Sequence, residues 1–314
     1  MKKKAIIISL KGSKLSRKEK ILLSKENPWG LILFKRNIKS LKQIKELIKK
    51  IRILTKDNRF PILVDEEGSS VSRLRNLIDH NLSANFFGNL YRINKSLSIN
   101  LYKTYLNLLC KKLKIIGINI NTIPVLDVLE KKTSKVIGIR SFSNNPKTVK
   151  IFGKITINQC SMNKIIGVIK HIPGHGCATS DSHYKLPKIN TSYKNLNTKD
   201  FYPFKINSAK LAMTAHILYK KIDKKNVATF SKKIINEVIR KKIGFKGILM
   251  SDDISMKALK FDLVTNAKRS LDAGCNLVLY CAGNIRENLR LIKSVPYIDS
   301  FTSKKTSEIY KILR

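Results

Sequence analysis

The sequence predicts an α/β fold, a single TIM-like (β/α)8 barrel that takes up residues 1–314 as one domain. Short apolar, β-branched runs recur eight times along the chain, and segments with helical spacing separate them. Strands that alternate with helices form parallel β-α units, and eight units in 314 residues fit a closed barrel. No linker, internal repeat or low-complexity segment indicates a second domain. A doubly wound open sheet is the alternative.

The eight predicted strands are runs of four to six residues, a length typical of buried strands. In chain order they are Ala5–Leu10, Gly30–Phe34, Pro61–Asp65, Ile115–Ile120, Ile165–Ile169, Leu211–Thr214, Gly247–Ser251 and Asn276–Tyr280.

Helical periodicity is clearest in two of the segments between these strands. In 40–54 the apolar residues fall on one helix face, and Ser40 with Gln43 forms a candidate capping box. In 231–242 the apolar residues are spaced in the same way behind Ser231, a candidate N-cap. The interval 66–114 is long enough for more than one helix, and the C-terminal residues 303–314 predict a closing helix.

The composition limits the possible classes of protein. The net charge of +42 raises the possibility of nucleic-acid binding, but the lysines are scattered along the whole chain, so we expect no specific nucleic-acid partner. No apolar run is long enough for a transmembrane helix. The N-terminal MKKKAIIISL resembles the start of a signal peptide, but its apolar part is short, and we interpret it as the first strand. Five cysteines without C-x-x-C spacing favour reduced thiols and a cytoplasmic protein.

Polar and ionisable residues follow the predicted strands at five places. In a (β/α)8 barrel the active site lies at the C-terminal ends of the strands, so these residues are candidates for a shared site. They are Asp65-Glu66-Glu67, then Asn119 and Asn121 with Asp127, then Lys170-His171, then Thr214 with His216, and finally Ser251-Asp252-Asp253.

Residues 163–187 carry the densest group of candidate catalytic side chains. Three of the five histidines fall within thirteen residues, and the Pro-Gly turn before His175 indicates a sharp change of chain direction. In Asp181-Ser182-His183 the carboxylate can hold the imidazole for proton transfer. An Asx turn with an exposed histidine is the simpler interpretation of that tripeptide, but its place in a Gly- and His-rich loop favours catalysis.

Asp252 and Asp253 follow an apolar strand, and their side chains point to different sides. We expect one of them to face the barrel axis, where it would stay ionised near cations such as Lys170 and could act as a nucleophile. We expect the other to cap a helix at Ile254–Leu259.

Metal-dependent hydrolysis is a second hypothesis. Histidine and aspartate side chains at barrel strand ends are also typical of metal sites. The candidate ligands are His171, His175, His183, His216 and Asp252. However, His171 and His175 are separated by a Pro-Gly turn and cannot use the helical i, i+4 geometry, so we expect no metal or other cofactor.

Several of these segments, taken in order, resemble the bacterial β-N-acetylglucosaminidases of glycoside hydrolase family 3. The resemblance is to the single-domain cytoplasmic type that acts in peptidoglycan recycling. It rests on LVDEEGSSVSRL, PVLDV, VIGIRSF, KHIPGHG followed by DSH and LP, MTAHILY and GILMSDDISM, and it spans nearly the whole chain.

The resemblance implies retaining hydrolysis of terminal β-linked N-acetylglucosamine from muropeptides or chito-oligosaccharides by a monomeric enzyme. In this reading Asp252 is the nucleophile that forms a covalent glycosyl-enzyme, and His183 is the acid/base with Asp181 as its partner. An imidazole acid/base also leaves phosphate open as an acceptor in place of water. The residues implied to hold the sugar or line its site are Asp65, Arg73, Arg140, Lys170, His171, His216 and Met256.

The sequence departs from the family pattern after Glu67. The usual E-G-G-R-V appears here as Glu67-Gly68-Ser69-Ser70-Val71, although Arg73 keeps its place. Asn119 and Asn121 also stand where acidic or apolar residues are commoner. These changes affect the loop geometry and not the proposed chemistry.

Overall fold

The structure, a computed structural model, describes residues 2–131, 133–178, 180 and 185–314. Within these residues eight parallel strands form a closed barrel in the order β1-β2-β3-β4-β5-β7-β9-β10, and β10 pairs back with β1. β6 and β8 pair with each other outside the barrel. The strands are β1 (Lys4–Ser9), β2 (Pro28–Leu33), β3 (Ile62–Val64), β4 (Ile120–Asn121), β5 (Ile166–Ile172), β6 (Lys188–Ile189), β7 (Leu211–Thr214), β8 (Leu218–Tyr219), β9 (Ile248–Asp253) and β10 (Leu277–Leu279).

Helices connect the barrel strands. In the described part of the chain none is long and apolar enough to cross a membrane. Their bounds are α1 (Arg17–Lys25), α2 (Leu41–Thr55), α3 (Ala84–Ile93), α4 (Lys95–Ile116), α5 (Pro146–Met162), α6 (Tyr193–Thr198), a π-helix (Ile234–Ile243), α7 (Leu263–Ala273), α8 (Ile285–Ser294) and α9 (Ser300–Ile312). Short 3₁₀ turns lie at Lys35–Asn37, Gly138–Arg140, Tyr202–Phe204 and Ala228–Phe230.

The predicted barrel is confirmed, and two predicted boundaries are wrong. The run Ile115–Ile120 is not all strand, because α4 continues to Ile116 and ends at Gly117, whose φ of 100° is left-handed. Ile254–Leu259 forms turns instead of a helix. The next helix, α7, begins later, at Leu263.

The N-terminal caps follow the sequence with one difference. Ser40 Oγ accepts a hydrogen bond from the backbone N–H of Gln43 at 3.2 Å, as predicted. The Gln43 side chain accepts instead from the N–H of Lys39, so only half of the predicted capping box forms. Ser231 Oγ accepts from the N–H of Ile234 at 3.1 Å, which makes it the cap at the start of the next helical segment.

Buried side chains form an inner layer and an outer layer. Ile7 lies in the inner layer, while its neighbours Ile6 and Ile8 lie in the outer layer between strands and helices, as the strand period of two requires. Trp29 is fully buried in the inner layer, and its Nε1 donates to Thr306 Oγ1 of α9 at 2.8 Å. Helix α9 therefore packs over the N-terminal end of the barrel.

Gly88 lets α3 approach the segment that follows the 3₁₀ turn Gly138–Arg140. A Cβ atom at Gly88 would lie 1.6 Å from the carbonyl oxygen of Phe142, a distance that no side chain can occupy. Because residue 88 is glycine, α3 can lie directly against the backbone near Arg140.

We expect Gly88→Ala to lower the free energy of unfolding by about 3 kcal/mol, because the methyl group overlaps a backbone atom that cannot rotate away. Urea denaturation measures the change. Gly12→Ala is the control, since a Cβ at Gly12 meets no atom within 4 Å. Equal stability of the two variants would contradict the close approach.

Candidate active site

A cleft of about 380 Å³ opens at the C-terminal ends of the barrel strands. Its walls contain residues from the C-terminal ends of β5, β7, β9 and β10 and from the segments that follow β2, β3, β4, β5, β9 and β10. The residues that line it are Phe34, Asp65, Glu67, Ser70, Val71, Arg73, Lys135, Val136, Ile137, Ile139, Arg140, Lys170, His171, His175, Met213, Asp252, Asp253, Met256, Leu279 and Cys281.

Glu67 is the centre of the charged wall of the cleft. Its carboxylate accepts from Arg140 Nε at 2.7 Å and Nη2 at 2.8 Å, and Lys170 Nζ lies 2.6 Å from its Oε1. Burial opposes ionisation of Glu67, but the charges of Arg140 and Lys170 outweigh it and hold its pKa well below the usual range. Burial also opposes ionisation of Arg140, but the negative charge of Glu67 outweighs it and raises the pKa of Arg140. The sequence places Glu67 among the strand-end candidates for the site but predicts no specific role for it.

Asp65 lies beside this group. Lys170 Nζ is 3.5 Å from its Oδ1, Arg73 Nη2 is 3.4 Å from its Oδ2, and the hydroxyl of Thr122 donates to Oδ1. Burial opposes ionisation of Asp65, but these cations hold its pKa below the usual value. Asp65, Arg73, Arg140 and Lys170, which the sequence placed in one site, are therefore in contact with one another directly or through Glu67.

Glu66 holds the loop that carries Arg73. Its side chain is fully buried, and Oε2 accepts from the backbone N–H groups of Arg73 and Leu74, both at 2.8 Å. His80 Nε2 lies 2.8 Å from Oε1, and the Tyr105 hydroxyl lies 3.1 Å from His80 Nδ1. Glu66 thus positions Arg73 without lining the cleft. Its place directly after a strand was the only sequence signal for this role.

Asp127 holds two histidines at once. Its Oδ2 lies 2.7 Å from His171 Nδ1, and its Oδ1 accepts from the backbone N–H of His175 at 2.7 Å. Burial opposes ionisation of Asp127, but the charge and hydrogen bond of His171 lower its pKa. The carboxylate therefore fixes the orientation of the His171 ring, which lines the cleft.

His175 lines the cleft with a ring that has no hydrogen-bond partner among the described residues. The residue is 3% exposed, and neither ring nitrogen has a partner in that part of the chain. Burial lowers its pKa to about 4, so the imidazole is neutral at neutral pH. A neutral ring in this position can both donate and accept a hydrogen bond.

The two aspartates of β9 both line the cleft but make different contacts. Asp253 Oδ1 accepts from the N–H groups of Ser255 and Cys281, and Oδ2 accepts from Ser255 Oγ, so this carboxylate closes a turn instead of capping a helix. Asp252 Oδ1 accepts from the N–H of Asp253 at 2.7 Å. Among the described residues the ion-pair partners of Lys170 are Glu67 and Asp65, and both Lys170 and Asp252 line the cleft.

His216 lies behind the strand ends and is not part of the cleft wall described above. Its Nε2 donates to the carbonyl oxygen of Asp253 at 3.0 Å, and its Nδ1 lies 2.7 Å from the hydroxyl of Thr229. Burial lowers the pKa of His216, which favours the neutral ring. Met256 does line the cleft, and its N–H also donates to the Asp253 carbonyl. His216 therefore supports the backbone next to Asp252.

Two predicted catalytic residues, Asp181 and His183, lie outside the described residues. Among the described residues, the only group with metal-ligand geometry is Glu130, Cys177 and Asp200, and it is not part of the cleft lining. The described candidates of the metal hypothesis, His171, His175, His216 and Asp252, form no such group, and His171 and His216 pair with Asp127 and Thr229.

The fold and the cleft define a (β/α)8-barrel enzyme that binds a polar substrate. The cleft lining contains both carboxylates and cations, which suits a molecule rich in hydroxyl groups. Asp252 is at the end of β9, across the barrel from β3, the strand that precedes Glu67.

Comparison with known proteins identifies the family. Residues 2–305 match the model of the glycosyl hydrolase family 3 N terminal domain. The chain is 32% identical to a β-hexosaminidase of Nitrosomonas eutropha over 88% of this chain and 80% of the relative. It is 31% identical to one of Haemophilus influenzae over 93% and 85%. The crystal structure of NagZ from Neisseria gonorrhoeae superposes with a TM-score of 0.89 at 28% identity, covering 98% of this chain and 90% of that one.

The chain therefore belongs to glycosyl hydrolase family 3. It is a glycoside hydrolase of the β-hexosaminidase type.

We expect Glu67→Gln to lower the free energy of unfolding at neutral pH by about 3 kcal/mol, because it leaves Lys170 and Arg140 buried without their shared anion. The folded-state pKa of Glu67 lies below the unfolded value of 4.5, so its contribution is complete above that pH and is lost as the pH falls. As the pH falls below about 4.5, the free energy of unfolding of the variant should therefore decrease less steeply than that of the wild type. The two slopes should differ by up to about 1.4 kcal/mol per pH unit.

Urea denaturation between about pH 7 and 3 measures both effects. Glu46→Gln is the matched control, since Glu46 is exposed on α2. A pH profile for Glu67→Gln that runs parallel to the wild type would contradict the depressed pKa.

Proposed function

We propose that the protein is a retaining exo-β-N-acetylglucosaminidase that removes terminal β-linked N-acetylglucosamine from peptidoglycan-derived muropeptides. The observation that carries the proposal is the Asp252 carboxylate in the cleft wall at the end of β9, where none of the cleft cations forms an ion pair with it in the described structure. Chito-oligosaccharides contain the same terminal sugar and are the alternative substrate class.

The terminal sugar binds between Asp65, Arg73, Arg140, Lys170 and His171. These groups are already paired with one another or with Glu67 and Asp127, so they are held rigidly before substrate arrives. Hydroxyl groups of a sugar both donate and accept, and they can therefore insert between carboxylates and cations without an unpaired charge. Met256 forms part of the cleft wall on the side of Asp252. His216 lies behind this wall, where its Nε2 donates to the carbonyl oxygen of Asp253.

Two displacement steps account for retention of configuration. In the first, Asp252 attacks the anomeric carbon, and the leaving oxygen takes a proton from the protonated His183 imidazole. In the second, neutral His183 removes a proton from water, which attacks the same carbon and releases Asp252. The Asp181 carboxylate orients His183 in both steps.

The size of the cleft supports action on chain ends. Its volume of about 380 Å³ lies near the lower limit of ligand sites, about 300–1,000 Å³, and suits a terminal sugar better than a long polysaccharide. NagZ of Neisseria gonorrhoeae was crystallised with N-trifluoroacetyl-D-glucosamine, a ligand that has the same sugar framework. These two observations support N-acetylglucosamine as the sugar.

Several further properties belong to the same proposal. The whole chain, residues 1–314, acts as one catalytic domain, as a monomer without a cofactor. Its cysteines are all free thiols, as expected in the reducing cytoplasm where muropeptides would be recycled.

We expect Asp252→Ala to lower kcat for a chromogenic β-N-acetylglucosaminide by a factor of about 10⁴ or more, because no covalent intermediate can form. Asp272→Ala, an exposed aspartate on α7, is the control and should keep wild-type activity. Proton NMR of the wild-type reaction should show the β-anomer as the first product.

Substantial activity in Asp252→Ala, or the α-anomer as first product, would refute the retaining mechanism with this nucleophile. A chelator added in parallel tests the metal hypothesis, and complete inhibition by the chelator would favour it.

We expect the effect of His183→Ala to depend on the leaving group. A 4-nitrophenolate leaves without a proton, so its glycoside should lose less activity than an alkyl glycoside, whose leaving oxygen needs protonation. Steady-state kinetics with both substrates measure the ratio of kcat/KM values. An equal loss for both substrates would contradict the acid role of His183.

A further inference from the structure

Helix α4 carries a row of aliphatic side chains on its solvent face. Its opposite face packs into the protein and includes the fully buried Leu106 and Leu113. On the solvent face Leu97, Leu101, Leu108 and Ile115 are exposed by 52, 38, 56 and 58%. Two opposite stripes of one helix are therefore apolar, although only one of them has a partner in the described structure.

The exposed residues are spaced so that they lie on one face of the helix. Positions 97, 101, 104, 108, 111 and 115 are separated by four, three, four, three and four residues, which puts them on one side of the helix. Leucine or isoleucine occupies four of the six. From residue 97 to 115 the row is about 27 Å long at 1.5 Å per residue.

Other exposed apolar side chains extend the row at the ends of neighbouring helices. Ile93, at the end of α3, is 82% exposed, and Met162, at the end of α5, is 75% exposed. Asn163, next to Met162, donates to Asn107 of α4 at 2.7 Å, which places Met162 near the row. Ile53 of α2, 64% exposed, shares a shallow groove with Ile115.

The charge around this row is predominantly positive. Helix α4 contains five lysines and no aspartate or glutamate, and none of these lysines forms an ion pair with a described acidic residue. The lysines are Lys95, Lys103, Lys111, Lys112 and Lys114. The groove beside Ile115 also contains Lys45, Lys49 and Arg52, with Glu46 as the acidic residue of its lining.

We propose that the solvent face of α4 docks reversibly on an anionic lipid surface. An apolar stripe flanked by lysines inserts aliphatic side chains below the headgroups while the ammonium groups contact lipid phosphates. A second copy of this chain fits poorly, because the two faces would bring lysines together with no carboxylate on α4 to pair with them. Since α4 lies on the outer wall of the barrel, docking leaves the cleft at the strand ends accessible.

The test uses the full chain and sedimentation with vesicles of phosphatidylcholine, with and without phosphatidylglycerol. We expect binding only to the anionic vesicles. The double variant Leu108→Ser, Ile115→Ser should have a partition coefficient onto anionic vesicles that is at least tenfold lower than that of the wild type. Ile21→Ser, at a 45% exposed position of α1, is the control and should bind like the wild type.

A second pair of variants separates this face from the general attraction of a protein with net charge +42. Lys111→Gln, Lys112→Gln, Lys114→Gln on α4 should weaken binding more than tenfold relative to Lys18→Gln, Lys20→Gln, Lys25→Gln, which removes three exposed lysines of α1. Thermal denaturation and glycosidase activity of each variant show that it is folded.

Three outcomes would overturn the proposal. They are no binding of the wild type to anionic vesicles, an equal loss for both lysine variants, and a wild-type dimer in light scattering that Leu108→Ser, Ile115→Ser dissociates. Lipid binding is measured without a sugar substrate, so its failure is separate from failure of the proposed glycosidase function.

Discussion

The carboxylate of Glu67, shared by Lys170 and Arg140, is the interaction on which the cleft depends. It joins the loops that follow β3 and β4 to strand β5, and it places one negative charge between two largely buried cations that would otherwise repel each other. With 63 basic and 21 acidic residues, the chain has few carboxylates, and several of them are concentrated here. The strongly basic chain thus keeps buried anions at the site.

Two other buried carboxylates, Asp127 and Glu66, have a similar supporting role. Asp127 fixes the ring of His171 and the backbone of His175, and Glu66 fixes the backbone of Arg73. In each case a buried acid that does not itself need to touch a substrate determines where a polar cleft residue points. This arrangement is typical of preorganised sites, in which rigid supporting contacts reduce the reorganisation that binding requires.

Much of the fold could be predicted because strand and helix periodicities differ. The prediction was wrong at Ile115, because an apolar, β-branched pair at the end of a buried helix looks the same as the start of a strand until the left-handed Gly117 ends the helix. It was also wrong after Asp253, whose side chain bonds to Ser255 and closes a turn. The rule that the active site of a (β/α)8 barrel lies at the C-terminal ends of its strands pointed to Asp65, Lys170, His171 and Asp252. It could not find the Glu67 ion pairs or the support from His216, which depend on distances between loops far apart in sequence.

The burial of Trp29 has a consequence for spectroscopy. It is the only tryptophan of the chain, it lies fully buried in the inner layer of the barrel, and its indole N–H donates to Thr306 of α9. Its fluorescence therefore comes from one dry, hydrogen-bonded environment near the N-terminal ends of the strands, at the opposite end from the cleft. The emission reports the undocking of α9 and is insensitive to events at the cleft, so any ligand titration of this protein needs a different optical probe.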